Sequence, residues 1–183
     1  MPRSIQDYLS LGYLYLLLLG IIRDTLYYGF VGINIMQYTG ILDVLLSPLV
    51  FLASKPIVPI LIVGVIVLML QFSKLLHRKA IEQGKAPLFL GLAGTNASLA
   101  VVALIVFSMY LGAGLGGGAS LKNRITDDDF TPNYVVYFAN ASDSVPVYLI
   151  GQNSQYIFYV SEGRGKINIA PVSGNIRKLV KSH

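Results

Sequence analysis

The sequence predicts an α-helical membrane domain followed by a small β domain, and three observations predict it. The 183 residues are 54% hydrophobic and 13% charged, whereas soluble domains carry roughly 25% charged residues. The apolar residues gather in three long runs before residue 113. The remainder alternates in short β-branched and aromatic pieces separated by turn residues. The expected boundaries are 1–112 for the transmembrane helical domain, 113–132 for a Gly-rich and acidic linker, and 133–183 for the β domain.

The first span is expected over residues 8–30. Tyr8 and Tyr27 lie 19 residues apart, which at 1.5 Å per helical residue is about 28 Å, close to the hydrocarbon thickness of a bilayer. Tyrosines at both ends suit the two interfaces. The apolar run passes Ile22 without a small-x-small cleavage site and Asp7 spoils a basic leader, so it is read as a permanent helix. Arg23 and Asp24 interrupt it. Neighbouring helical positions point about 100° apart, so the two are not expected to face each other as an i,i+4 pair would. Arg23 can snorkel to the headgroups, or the pair can sit within the membrane against a neighbouring helix or a water-filled path.

Residues 29–40 are apolar but broken by Gly29, Gly32 and Gly40 and by Asn34 and Gln37. A lipid-exposed span would not tolerate the freed backbone groups. From Thr39 to Ala53, Ile41, Leu42, Leu45, Leu46, Leu49 and Val50 recur at helical spacing, with Asp43 near the favourable N-terminal end. This predicts an interfacial or re-entrant helix. Asn34 and Asp43 either find partners or face headgroups and water.

Pro56 and Pro59 open a second span, Ile57 to Phe72, since a first helical turn has no partner for the missing N–H. The helix continues into a basic stretch with Lys74, Arg78, Lys79 and Lys85. A third span is expected from Leu88 to Leu111. Ala93, Ala97 and Ala100 share one face, with Gly91, Thr95 and Ser98 beside it, as close packing in membranes requires. Asn96 would seek a partner across a helix interface. The count is three spans, or four if residues 25–53 also cross.

Residues 112–120 read as a flexible glycine linker. Gly112, Gly114 and Gly117 satisfy G-x-G-x-x-G, but the strand before, the helix after and the distant acid of a dinucleotide site are missing. Beyond it, Tyr134–Ala139, Val145–Gly151, Tyr156–Val160 and Lys166–Pro171 read as strands, and Asn175–Val180 as a further strand or helical turn. A small SH3-like or Sm-like curled sheet or barrel follows.

The chemistry points away from catalysis. There is no cysteine, hence no thiolate nucleophile and no cysteine-ligated metal. His77 and His183 are the only histidines, and no metalloprotease-type pair exists. Asp127, Asp128 and Asp129 are consecutive and lack the alternating spacing of a calcium loop. No cofactor or metal site is expected. The net charge of +5 is scattered near the spans and suits anionic lipid, not nucleic acid.

The expectation is a non-enzymatic, multi-pass protein of the plasma (inner) membrane. It would act as a sensor, anchor or assembly subunit, with membrane lipids, a homo-oligomer or a protein partner of the β domain as associates. The alternative is a pore-forming channel or effector subunit of a homo-oligomer, as in a bacterial stress or phage-defence complex, with Arg23, Asp24, Asn34, Asp43 or Asn96 facing the path. The basic residues of 74–85 favour a cytoplasmic loop and an exported β domain, opposed by Arg23, Lys55, Lys122 and Arg124.

Overall fold

A computed structural model describes residues 5–82, 95–139, 144–161 and 166–182. Among the described residues four α-helices precede a five-stranded antiparallel sheet. Helix α1 spans Ile5–Gly29, α2 Ile41–Ser54, α3 Ile57–Glu82 and α4 Thr95–Thr126, and a single 3-10 turn, Ile35–Gln37, lies between α1 and α2. The strands are β1 (Tyr134–Phe138), β2 (Ser144–Gln152), β3 (Tyr156–Ser161), β4 (Ile167–Pro171) and β5 (Ile176–Lys181).

Among the described residues two helical segments, Leu9–Gly29 and Ala100–Thr126, are long and apolar enough to cross a membrane. Only 11% and 17% of their apolar windows are buried inside the chain. Helices α2 and α3 meet at an 81° bend and would make a third crossing if they form one broken span. Leu9, Leu14, Leu18, Ile41, Leu42, Ile60 and Leu68 stand among the exposed large side chains.

Helices α1 and α4 run side by side in the same direction. Tyr15 Oη donates to the Ala103 carbonyl near one end. Leu19 packs with Val106 and Tyr110 further along, and Gly114 and Gly118 abut Arg23 and Phe30 near the other end. The expected flexible linker from residue 112 is therefore corrected: α4 continues through the glycines to Thr126. Gly114, Gly117 and Gly118 serve contact instead of flexibility. A Cβ on Gly114 would stand 2.9 Å from the Arg23 carbonyl oxygen, and one on Gly118 2.7 Å from Phe30 Cδ2. Backbones approach this closely only across small residues.

Helix α2 crosses this pair. Its Pro48 ring seats on Gly20, where a Cβ would lie 3.1 Å from Pro48 Cδ, and the Pro48 carbonyl accepts a hydrogen bond from Tyr110 Oη at 3.4 Å. Phe51 meets Tyr110 edge-on, ring centroids 5.0 Å apart.

The strand order is β4-β3-β2-β1-β5. Every neighbouring pair is antiparallel, and the sheet is open: β4 and β5 do not pair among the described residues. One face is sealed by Val136, Val147, Ile157 and Ala170. On the other, Phe158, Ile150, Tyr156, Ile167 and Ile169 pack on Tyr28 at the end of α1 and on Ile33, Ile35 and Tyr38 from the segment after it. Within the glycine-broken stretch at 29–40, Ile33 and Ile35 are buried against the sheet, while Phe30, Asn34, Met36 and Gln37 stay exposed.

Candidate functional site

Three features converge where α1 ends, α2 begins and the β2–β3 turn comes down. The first is a charged cluster on α1. Arg23 and Asp24 form an ion pair, Arg23 Nη2 to Asp24 Oδ1 at 3.2 Å. This corrects the expectation that the two do not meet: the Cα–Cβ bonds diverge, but the long guanidinium arm folds back to its neighbour. The same guanidinium lies over the Phe51 ring, 4.1 Å from its centroid, a cation–π contact strengthened by poor solvation. Asp24 Oδ2 accepts the Ser47 hydroxyl of α2. Both charges are about one-fifth exposed, and together they hold α2 across α1.

The second feature is a latch. Asp43 occupies the third position of α2, where its Oδ2 accepts the Gly40 N–H at 3.2 Å and closes the helix start. The same carboxylate reaches the β2–β3 turn, accepting the Ser154 N–H on Oδ1 at 3.2 Å and the Ser154 hydroxyl on Oδ2 at 2.8 Å. Beside it Asn153 works in both directions. Its Oδ1 accepts the N–H groups of Gln155 and Tyr156, at 3.0 and 2.7 Å, and shapes the turn. Its Nδ2 donates to the Tyr38 carbonyl at 2.9 Å.

The third is an aromatic seat. Tyr28 and Tyr38 pack on Phe158 with centroids 5.2 and 5.9 Å away, within the range of favourable ring pairs. The Tyr28 hydroxyl presses on Gly151, where any Cβ would collide with it. Strand β2 shifts register between Leu149 and Gly151, so a bulge and a missing side chain together admit the tyrosine. At the far end of α4, Arg124 Nη1 donates to Tyr148 Oη at 3.0 Å.

Between latch and charged cluster lies a cleft of about 430 Å³, with Arg23, Asp24, Asp43, Ser47, Lys55 and Asn153 among its walls. The polar groups mostly bond to one another, and among the described residues no set of three His, Cys, Asp or Glu side chains gathers to hold a metal. The arrangement fastens elements together.

Of the residues singled out from sequence, Arg23, Asp24 and Asp43 come together here. Asn34 does not: it is exposed and makes no side-chain cap. Asn96, Ala97 and Ala100 lie in the first turns of α4, with Ala100 exposed, and Gly91 and Ala93 fall outside the described residues. Sequence reasoning missed Ser47, Phe51, Asn153 and Ser154. The Asn-Ser turn was visible as turn chemistry, but nothing local marks it as the partner of an aspartate 111 residues away.

These features define a class: a helical unit with two candidate membrane spans and an antiparallel sheet docked over their ends. Compared with family models, curated proteins and solved structures, the chain matches none.

Proposed function

We propose that this is a non-enzymatic multi-pass membrane protein, resident in the plasma (inner) membrane. Its helices anchor and position the β domain as an assembly or partner-binding module. The observation that carries the reading is the docked sheet: it is fastened to the end of α1 through Asp43, Asn153 and the aromatic seat, while β4 and β5 each keep one edge unpaired among the described residues. An unpaired edge on a fixed platform is a ready template for another strand. We read the sheet as an SH3-like or Sm-like curl that stops short of closure.

The parallel course of α1 and α4 supports an odd number of crossings. If both span, the chain between them has to return once, and the bent α2–α3 pair is the segment that can do so. The N-terminus and the basic 74–85 stretch then share one side, with the β domain on the other. Lysines and arginines of 74–85 favour the cytoplasm for their side. Reporters active on only one side of the membrane, fused at either end, should give opposite signals; equal signals would exclude three crossings.

Arg23 and Asp24 bond to each other, Ser47 and Phe51, which favours a structural role over lining a pore. Crosslinking in native membranes should give a homo-oligomeric ladder or one specific heterologous band. A monodisperse monomer without a co-purifying protein would refute the assembly role.

A further inference from the structure

A second groove, of about 600 Å³, opens on another flank of the same junction, between the segment after α1, the last turns of α4 and strand β4. Its apolar walls include Val31, Ile125 and Ile167, and two lysines from distant parts of the chain, Lys122 and Lys166, stand on it. Among the described residues no acidic side chain lines it; the run Asp127 to Asp129, which follows α4, is not part of the wall. Both lysines are exposed, and neither makes an ion pair among the described residues. The groove lies where both candidate spans finish, at Gly29 and Thr126.

We propose that this groove binds the headgroup of an anionic phospholipid, its phosphate between Lys122 and Lys166 and the start of an acyl chain along Val31, Ile125 and Ile167. The charge is of the right sign, the apolar wall adjoins it, and its level is that of headgroups if the spans cross. Two cations on one apolar groove match a phosphodiester carrying a hydrocarbon tail better than a soluble anion, which would leave the wall uncovered. The proposal rests on the membrane reading above. The basic residue in the last turn of α4 is Arg124, which offsets the partial negative charge at that helix end and stays in place when Lys122 is changed.

The test uses the full chain in bilayer discs of phosphatidylcholine alone or of equal parts phosphatidylcholine and phosphatidylglycerol, with retained lipid read by native mass spectrometry. The native chain should retain phosphatidylglycerol preferentially. Each lysine near an anionic surface is worth about fivefold in affinity, so Lys122→Gln with Lys166→Gln should weaken retention about thirtyfold. The double arginine variant, Lys122→Arg with Lys166→Arg, should restore it, and Lys122→Gln alone should lower retention without changing stability in phosphatidylcholine discs. Unchanged retention in the double glutamine variant overturns the proposal. So does displacement of the lipid by inorganic phosphate, which would make the site one for a soluble anion, or loss of retention on dimerisation, which would assign the groove to a second copy. Release of the chain from membranes by alkaline carbonate would instead overturn the membrane reading, a failure distinguishable from the others.

Discussion

Replacing Gly151 by alanine tests the joint between sheet and helices with a single methyl group. The new Cβ would run into the Tyr28 hydroxyl, while the next ring atom, Tyr28 Cζ, would sit at 3.3 Å. The clash is therefore almost wholly with one oxygen. Tyr28 is held by Tyr27 edge-on at 5.0 Å and by Phe158 at 5.2 Å, so the ring cannot swing away freely. Overpacking of this kind costs about 1–3 kcal/mol. Removing the hydroxyl should make room, so in a Tyr28→Phe background the same Gly151→Ala change is expected to cost less than about 0.5 kcal/mol, a coupling of about 1–2 kcal/mol. The assay is a double-mutant cycle on denaturant midpoints in detergent, with amide exchange of β2 and β3 reporting which part loosens. Equal costs in the two backgrounds would refute the contact and the docking built on it.

Asp43→Ala removes an acceptor of three hydrogen bonds and should destabilise the β2–β3 turn by about 1–3 kcal/mol, read as faster amide exchange at Ser154; unchanged exchange would rule out the latch. Gly114→Ala should cost about 1–2 kcal/mol after its gain in helix propensity, because the methyl meets the α1 backbone, whereas Gly116→Ala, with nothing within 4 Å, should be neutral or stabilise by up to about 1 kcal/mol. Matching effects at the two positions would contradict the packing of α4 on α1. Burial raises the Tyr159 phenol above its usual range, so the folded state favours the neutral form. Its contribution to stability is complete below the ordinary tyrosine pKa and declines as pH rises beyond it. Tyr159→Phe should remove one group from the late-titrating part of the phenolate absorbance, and an unchanged late-titrating amplitude in that variant would sink the assignment.

The strands were legible because their signal is local. Tyr156 to Val160 is β-branched or aromatic throughout and stands between two turn sequences, and the structure places β3 there, from Tyr156 to Ser161. Likewise the ambiguity at 175–180 resolved into β5, whose partner is β1. The end of α4 was not legible. A glycine run has the same composition whether it flexes in water or packs on a neighbouring backbone, and the deciding contact, with Arg23 and Tyr27, lies some 90 residues earlier. The Arg23–Asp24 pair was misjudged because helical spacing fixes where Cβ points and not where a long side chain ends. Asp43 read as a helix-start residue, which it is; its second role depends on a turn brought in by the fold.

The glycines of α4 also bear on how the molecule is held together. Gly112, Gly114, Gly116, Gly117 and Gly118 fall within one stretch of helix, and each costs about 1 kcal/mol relative to alanine, or about 5 kcal/mol in all. Gly114, Gly117 and Gly118 meet Arg23, Tyr27 and Phe30 at the end of α1 and just after it, and this packing offsets the cost. A chain deprived of α1 should then lose helix at 112–126 and, with it, the footing of a sheet whose own sequence is intact.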